Sequence, residues 1–128
     1  MIYVKNHIPC IYKQTFLIGT FYRPPNSEAS KWEYWAFSLE KAEDSNINII
    51  ITGDFKCNSY NTHDSKILDI VRGQGMSQLI SECTHFTENS ATLLDLLVVN
   101  HIDVIEFSGV GDNVLPNNIR YHCPIFVY

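Results

Sequence analysis

The 128-residue chain reads as one compact α/β or α+β unit, because apolar strand-like runs alternate with helical spacing along its length. Apolar residues make up 45% and aromatics 12%, while charged residues reach only 18%, which suits one domain with a sizeable core and excludes a disordered tail. Turn and breaker residues separate the runs at intervals too short for a second domain, so residues 1–128 form a single unit.

The first strand is Phe16-Leu-Ile-Gly-Thr-Phe-Tyr22, apolar and β-branched, expected to be buried and stopped by Arg23-Pro24-Pro25-Asn26. Ser27 is placed to cap the next segment. There Trp32, Trp35, Ala36 and Leu39 recur at helical spacing, predicting a helix to about Lys41. Residues 46–52, Asn-Ile-Asn-Ile-Ile-Ile-Thr, form a second strand whose isoleucine run predicts burial on both faces, with Gly53 at its end. Ile67, Leu68, Ile70 and Val71 mark a second helix over 64–72, closed by Gly73 and Gly75. The last third is strand-rich, with candidates at 93–99, 101–108 and 119–128, separated by turns at 88–90 and 109–118.

Composition excludes several functions. Nine Lys and Arg against fourteen Asp and Glu give a net charge of −5, which rules out a strongly basic nucleic-acid module. No apolar run is long enough to span a bilayer, and no signal peptide is recognisable. The cysteines at 10, 57, 83 and 123 have no C-x-x-C spacing, so a zinc ribbon has no support; they read as reduced thiols of an intracellular protein. The histidines at 7, 63, 85, 101 and 122 form no i, i+4 pair. Neither a G-x-G-x-x-G dinucleotide motif nor a phosphate-binding P-loop is present.

Polar residues at strand ends are the candidates for chemistry. Asp54, after Ile-Ile-Ile-Thr-Gly, sits at the mouth of a sheet, where a carboxylate can hold a metal or a water, or cap a turn. Asp95 lies within an apolar run, so it either pairs with an Arg, a backbone cluster or a histidine, or faces solvent. His122, in His-Cys-Pro-Ile, starts a strand and is either structural or a functional imidazole. Tyr22, before the proline bend, either packs or offers its hydroxyl to a ligand.

The order Tyr22-x-Pro-Pro-Asn26, then Ile-Thr-Gly-Asp54-Phe, then Leu-Leu-Asp95-Leu-Leu-Val-Val, then His122-Cys-Pro-Ile resembles the endonuclease/exonuclease/phosphatase superfamily. More narrowly, it resembles the apurinic-type endonuclease domains of non-LTR retrotransposons, from about residue 15 to the end of the chain. The resemblance implies a four-layer α-β-β-α sandwich of two mixed sheets whose strand ends meet at one rim. It implies Mg²⁺-dependent hydrolysis of a DNA phosphodiester by in-line attack of a water. By resemblance, Asp54 orients or deprotonates the nucleophile, Asp95 aligns the histidine, His122 contacts the scissile phosphate, and Tyr22 donates to the phosphate or leaving oxygen. Asn26 and Asn58 are its substrate-binding candidates.

The departures have chemical consequences. Family members carry a metal-binding glutamate on a strand before the tyrosine strand, whereas the 21 residues before Tyr22 hold no Asp or Glu. A domain truncated at its N-terminus is therefore expected, with exposed sheet edges, no metal ligand assigned, and little hydrolysis by itself. The family reads G-D-F-N or G-D-L-N, but position 56 is Lys, and Asn58 stands two positions late. An ion pair at about 4 Å near a surface is worth on the order of 4 kcal/mol, so Lys56 can quench Asp54 and repel a cation. Position 121 is Tyr where the family has an aspartate before its histidine. The alternative is a non-catalytic binding or remnant module retaining only the sandwich fold. Trp32, Trp35 and Phe37 offer it a partner surface, unless the tryptophans simply pack on the sheet.

Overall fold

A computed structural model describes residues 14–24, 26–28, 30–45, 47–56, 66–114 and 119–128. It is a mixed α/β unit with two helices and several sheets among the described residues. Asn58, Cys10 and Cys57 lie outside the described residues.

The main sheet has four strands in the order β1 (Phe16–Tyr22), β2 (Asn48–Asp54), β6 (Asp95–Val99) and β3 (Ser77–Gln78). β1 and β2 run parallel, with Phe16 opposite Asn48 and Tyr22 opposite Asp54. The crossover between them is α1 (Lys31–Glu43), as a parallel pair requires. β6 runs antiparallel to β2, pairing Ile50 with Val99 and Asp54 with Asp95. A second sheet holds β5 (Ser90–Thr92), β4 (His85–Thr87) and β8 (Tyr121–His122). A third pairs β7 (Ser108–Val110) with β9 (Ile125–Val127).

β6 is the strand covered on both faces: Leu96, Leu97, Val98 and Val99 are all buried. That corrects the expectation for β2, in which Ile49 is buried while Ile50, Ile51 and Thr52 are half-buried. Both strands are interior to the sheet, but the outer neighbour of β2 is β1, whose Phe16, Leu17 and Ile18 are exposed. β1 is likewise not buried. It is an edge strand among the described residues, with Phe16, Leu17 and Ile18 exposed.

α1 presents Trp32, Trp35 and Leu39 to the core and leaves Phe37 exposed. The tryptophan rings meet Phe21 and Phe55 at centroid separations of 5.4–6.4 Å, clamping the helix over the ends of β1 and β2. Ser27 does not cap α1; its hydroxyl donates to the Pro24 carbonyl, and the helix starts at Lys31 after a turn closed by Lys31 N–H to Glu28 O. α2 (Lys66–Gly73) buries Ile67 and Val71. It ends in a Schellman motif, with Gly75 N–H donating to Arg72 O, Met76 N–H donating to Val71 O, and Gly75 at φ +69°. Gly73 remains inside the helix.

The long strand expected over 101–108 is instead a 3₁₀ turn at Ile102–Val104, with β7 beginning at Ser108. The stretch 119–128 divides into β8 and β9, because Pro124 interrupts the ladder between them. No described helix is long and apolar enough to cross a membrane.

Candidate active site

Gly53 sets the position of Asp54. β1 passes so close that a Cβ at residue 53 would lie 1.7 Å from the Phe21 carbonyl oxygen. Only glycine permits that approach, and it brings the last residues of β1 and β2 side by side. Asp54 is then fixed by its neighbours: Arg23 N–H donates to its carbonyl at 2.9 Å, and Phe55 N–H donates to Leu94 O at 2.9 Å. Phe55 is fully buried in the aromatic cluster, which anchors the strand end from below.

Asp95, the first residue of β6, faces Asp54 across the antiparallel register. The second sheet supplies His122, whose Nδ1 lies 2.7 Å from Asp95 Oδ2. An ionised carboxylate only accepts, so Nδ1 carries the proton and Nε2 is the ring's free nitrogen. Of the alternatives open to Asp95, an Arg, a backbone cluster, a histidine or solvent, the structure supplies the histidine. One ligand atom each from Asp54, Asp95 and His122 falls within 4.8 Å of the others, so the three side chains can hold a metal ion.

The site is tied together by Thr84, which is fully buried. Its hydroxyl accepts the N–H groups of Leu94 at 3.2 Å and Asp95 at 2.9 Å. Its carbonyl accepts Cys123 N–H at 2.7 Å. One residue therefore registers the start of β6 against the end of β8, setting Asp95 beside His122.

Beside this group is a cleft of about 730 Å³, lined by Tyr22, Asn26, Lys56, His85, Arg120 and His122, with Leu94. Tyr22 is exposed there, and Asn26 adopts a left-handed backbone at φ +61°, as asparagine tolerates. A larger groove of about 850 Å³ between β1 and α1 is mostly apolar and shares Tyr22 with the cleft, but Asp54, Asp95 and His122 do not line it.

Lys56 binds Asp54 twice. Its Nζ is 2.5 Å from Asp54 Oδ2, and its backbone N–H donates to Asp54 Oδ1 at 3.1 Å. The second contact is an Asx-type turn, so Asp54 both caps a turn and faces the site. Lys56 does not continue the strand. It turns left-handed at φ +49°, which folds its ammonium back onto the carboxylate.

Sequence reasoning missed Thr84, His85 and Arg120. His85 pairs with His122 across β4 and β8, their rings 4.6 Å apart, and its Nδ1 lies 3.3 Å from Thr92 Oγ1. Burial, then the charges of His122, Arg120 and Lys56, hold its pKa below 6.5, with Asp95 acting weakly the other way. The signal was present: Thr84-His-Phe-Thr87 and Ser90-Ala-Thr92 flank the two-residue turn Glu88-Asn89, a hairpin pattern. Cys83 and Cys123 are free thiols; burial, then Asp112 and Asp95, raise the Cys123 pKa. No protein-family model, no curated protein and no solved structure matches this chain.

Proposed function

We propose that the chain carries the rim of an endonuclease/exonuclease/phosphatase-type domain, of the kind found in non-LTR retrotransposons, and that this rim binds DNA phosphodiesters but does not measurably hydrolyse them by itself. The observation that carries the reading is the convergence of Asp54, Asp95 and His122 from strands of two different sheets. In this reading those sheets are the two faces of one four-layer sandwich.

The chemistry follows from the contacts. Asp95 holds the His122 ring by Nδ1 and so aims one defined nitrogen, Nε2, away from itself. In its cationic form that nitrogen donates to a phosphate oxygen as negative charge builds up there. Tyr22 and Arg120, lining the same cleft, are the further donors. Asp54 is the carboxylate for orienting a water, but Lys56 is seated on the Oδ2 that a water would use. The resemblance also implies Mg²⁺. That ion demands near-octahedral oxygen ligands at short range. Here it would have to displace Lys56 from Asp54 and the His122 N–H from Asp95, so the residues present do not fit that ion.

The test is plasmid nicking with Mg²⁺, beside binding of a fluorescein-labelled single-stranded oligodeoxynucleotide. We expect background nicking from the wild type, Asp54→Ala and His122→Ala alike, and weaker oligonucleotide binding by His122→Ala. Mg²⁺-dependent turnover abolished by both substitutions would show the rim to be a working nuclease. Absence of oligonucleotide binding would leave only the competing reading, a module that keeps the fold without the phosphodiester chemistry.

A further inference from the structure

We propose that Lys56 is the resident cation of this site: its ammonium supplies the positive charge that a divalent metal would otherwise bring, so the cleft binds a phosphodiester without divalent metal. The inference rests on the phosphodiester reading above and concerns how that site is charged.

The backbone of Lys56 is held for this purpose from both sides. A left-handed lysine is uncommon, and it persists only where its surroundings impose it. Asp54 Oδ1 accepts its N–H at 3.1 Å, and Arg23 Nη1 donates to its carbonyl at 3.3 Å. Arg23 is itself fixed, its N–H donating to Asp54 O and its guanidinium lying 4.7 Å from the Trp32 ring centroid. The tryptophan is buried in the core. Thus the core, through Arg23 and the end of β2, dictates the turn that sends the ammonium back to Asp54.

Charge explains what the turn achieves. Asp54 and Asp95 face each other across adjacent strands, and two bare carboxylates would repel a phosphate. Asp95 is engaged by His122, and Asp54 by Lys56. A lysine ammonium has three N–H donors, and among the described residues Asp54 Oδ2 takes one of them. The Lys56 side chain is 26% exposed and lines the cleft with Arg120, His85 and His122. A lysine in that place acts as a point charge for phosphate.

The experiment measures binding of the same labelled oligodeoxynucleotide to the whole chain, in EDTA and in Mg²⁺. It is paired with Mn²⁺ binding followed by the paramagnetic resonance of the free ion. The wild type should bind the oligonucleotide equally in both media and take up no Mn²⁺ at the site. Lys56→Asn should lose roughly tenfold in EDTA, the scale of one charge-assisted hydrogen bond, recover in Mg²⁺, and bind Mn²⁺. Lys56→Arg, which keeps the charge, should behave as the wild type. Wild-type binding that requires Mg²⁺, or Mn²⁺ uptake by the wild type equal to that of Lys56→Asn, would overturn the inference while leaving the phosphodiester reading intact. Failure to bind the oligonucleotide in either medium would instead remove the phosphodiester reading itself.

Discussion

Thr84 has a neutral hydroxyl, yet it helps to set Asp95 beside His122. Thr84→Val keeps the shape and removes the acceptor of two backbone N–H groups. Leaving buried donors unpaired costs about 1–3 kcal/mol, which denaturant titration will register, and the His122 ring resonances should shift as Asp95 loosens. His85 makes a pH-dependent contribution. Its folded pKa lies below 6.5, so the unfolded chain takes up this proton first as pH falls. Its contribution is therefore complete above pH 6.5 and declines as pH drops from there toward the folded value. Unfolding measured against pH should show that decline, and His85→Gln should flatten it.

At the scale of the elements, the β1–β2 pair depends on one missing methyl group. With a Cβ at residue 53 placed 1.7 Å from the Phe21 carbonyl oxygen, Gly53→Ala must drive the two strands apart. The expected loss exceeds about 3 kcal/mol, at the severe end for a single substitution, and the Tyr22–Asp54 register should be lost with it. Thermal or denaturant unfolding measures the loss, and amide shifts along β2 report the register. The same pair shows where sequence patterning was sufficient. The apolar run of β1 ends at Tyr22 as the following prolines dictate, and α1 follows the spacing of Trp32, Trp35 and Leu39. The β4–β5 hairpin was harder to read, because its strands are three residues each and carry no apolar alternation.

Over the whole molecule, protection should follow sheet order. β6 is flanked on both sides and buried on both faces, whereas β9 belongs to a two-stranded sheet and leaves Phe126 and Val127 exposed. Hydrogen exchange should be slowest among the described residues at Leu96–Val99 and fast at Ile125–Val127, with opening energies approaching the global value only in β6. Equal protection of the two strands would mean that the third sheet folds as one unit with the first.

The sequence alone determined which residues were candidates for chemistry: Tyr22, Asp54 and His122 stand at the ends of strand-like runs and Asp95 lies within one, and such positions are local features. It also determined both helices, since 3.6-residue periodicity is carried within a single segment. Only the tertiary structure decided that β6 rather than β2 is covered on both faces, because that cover is a property of long-range packing. It alone decided that Asp95 meets His122, 27 positions away, through the buried Thr84. The left-handed turn of Lys56 was hidden for the same reason: Arg23, 33 positions earlier, holds its carbonyl, and no local pattern records a contact made across that distance.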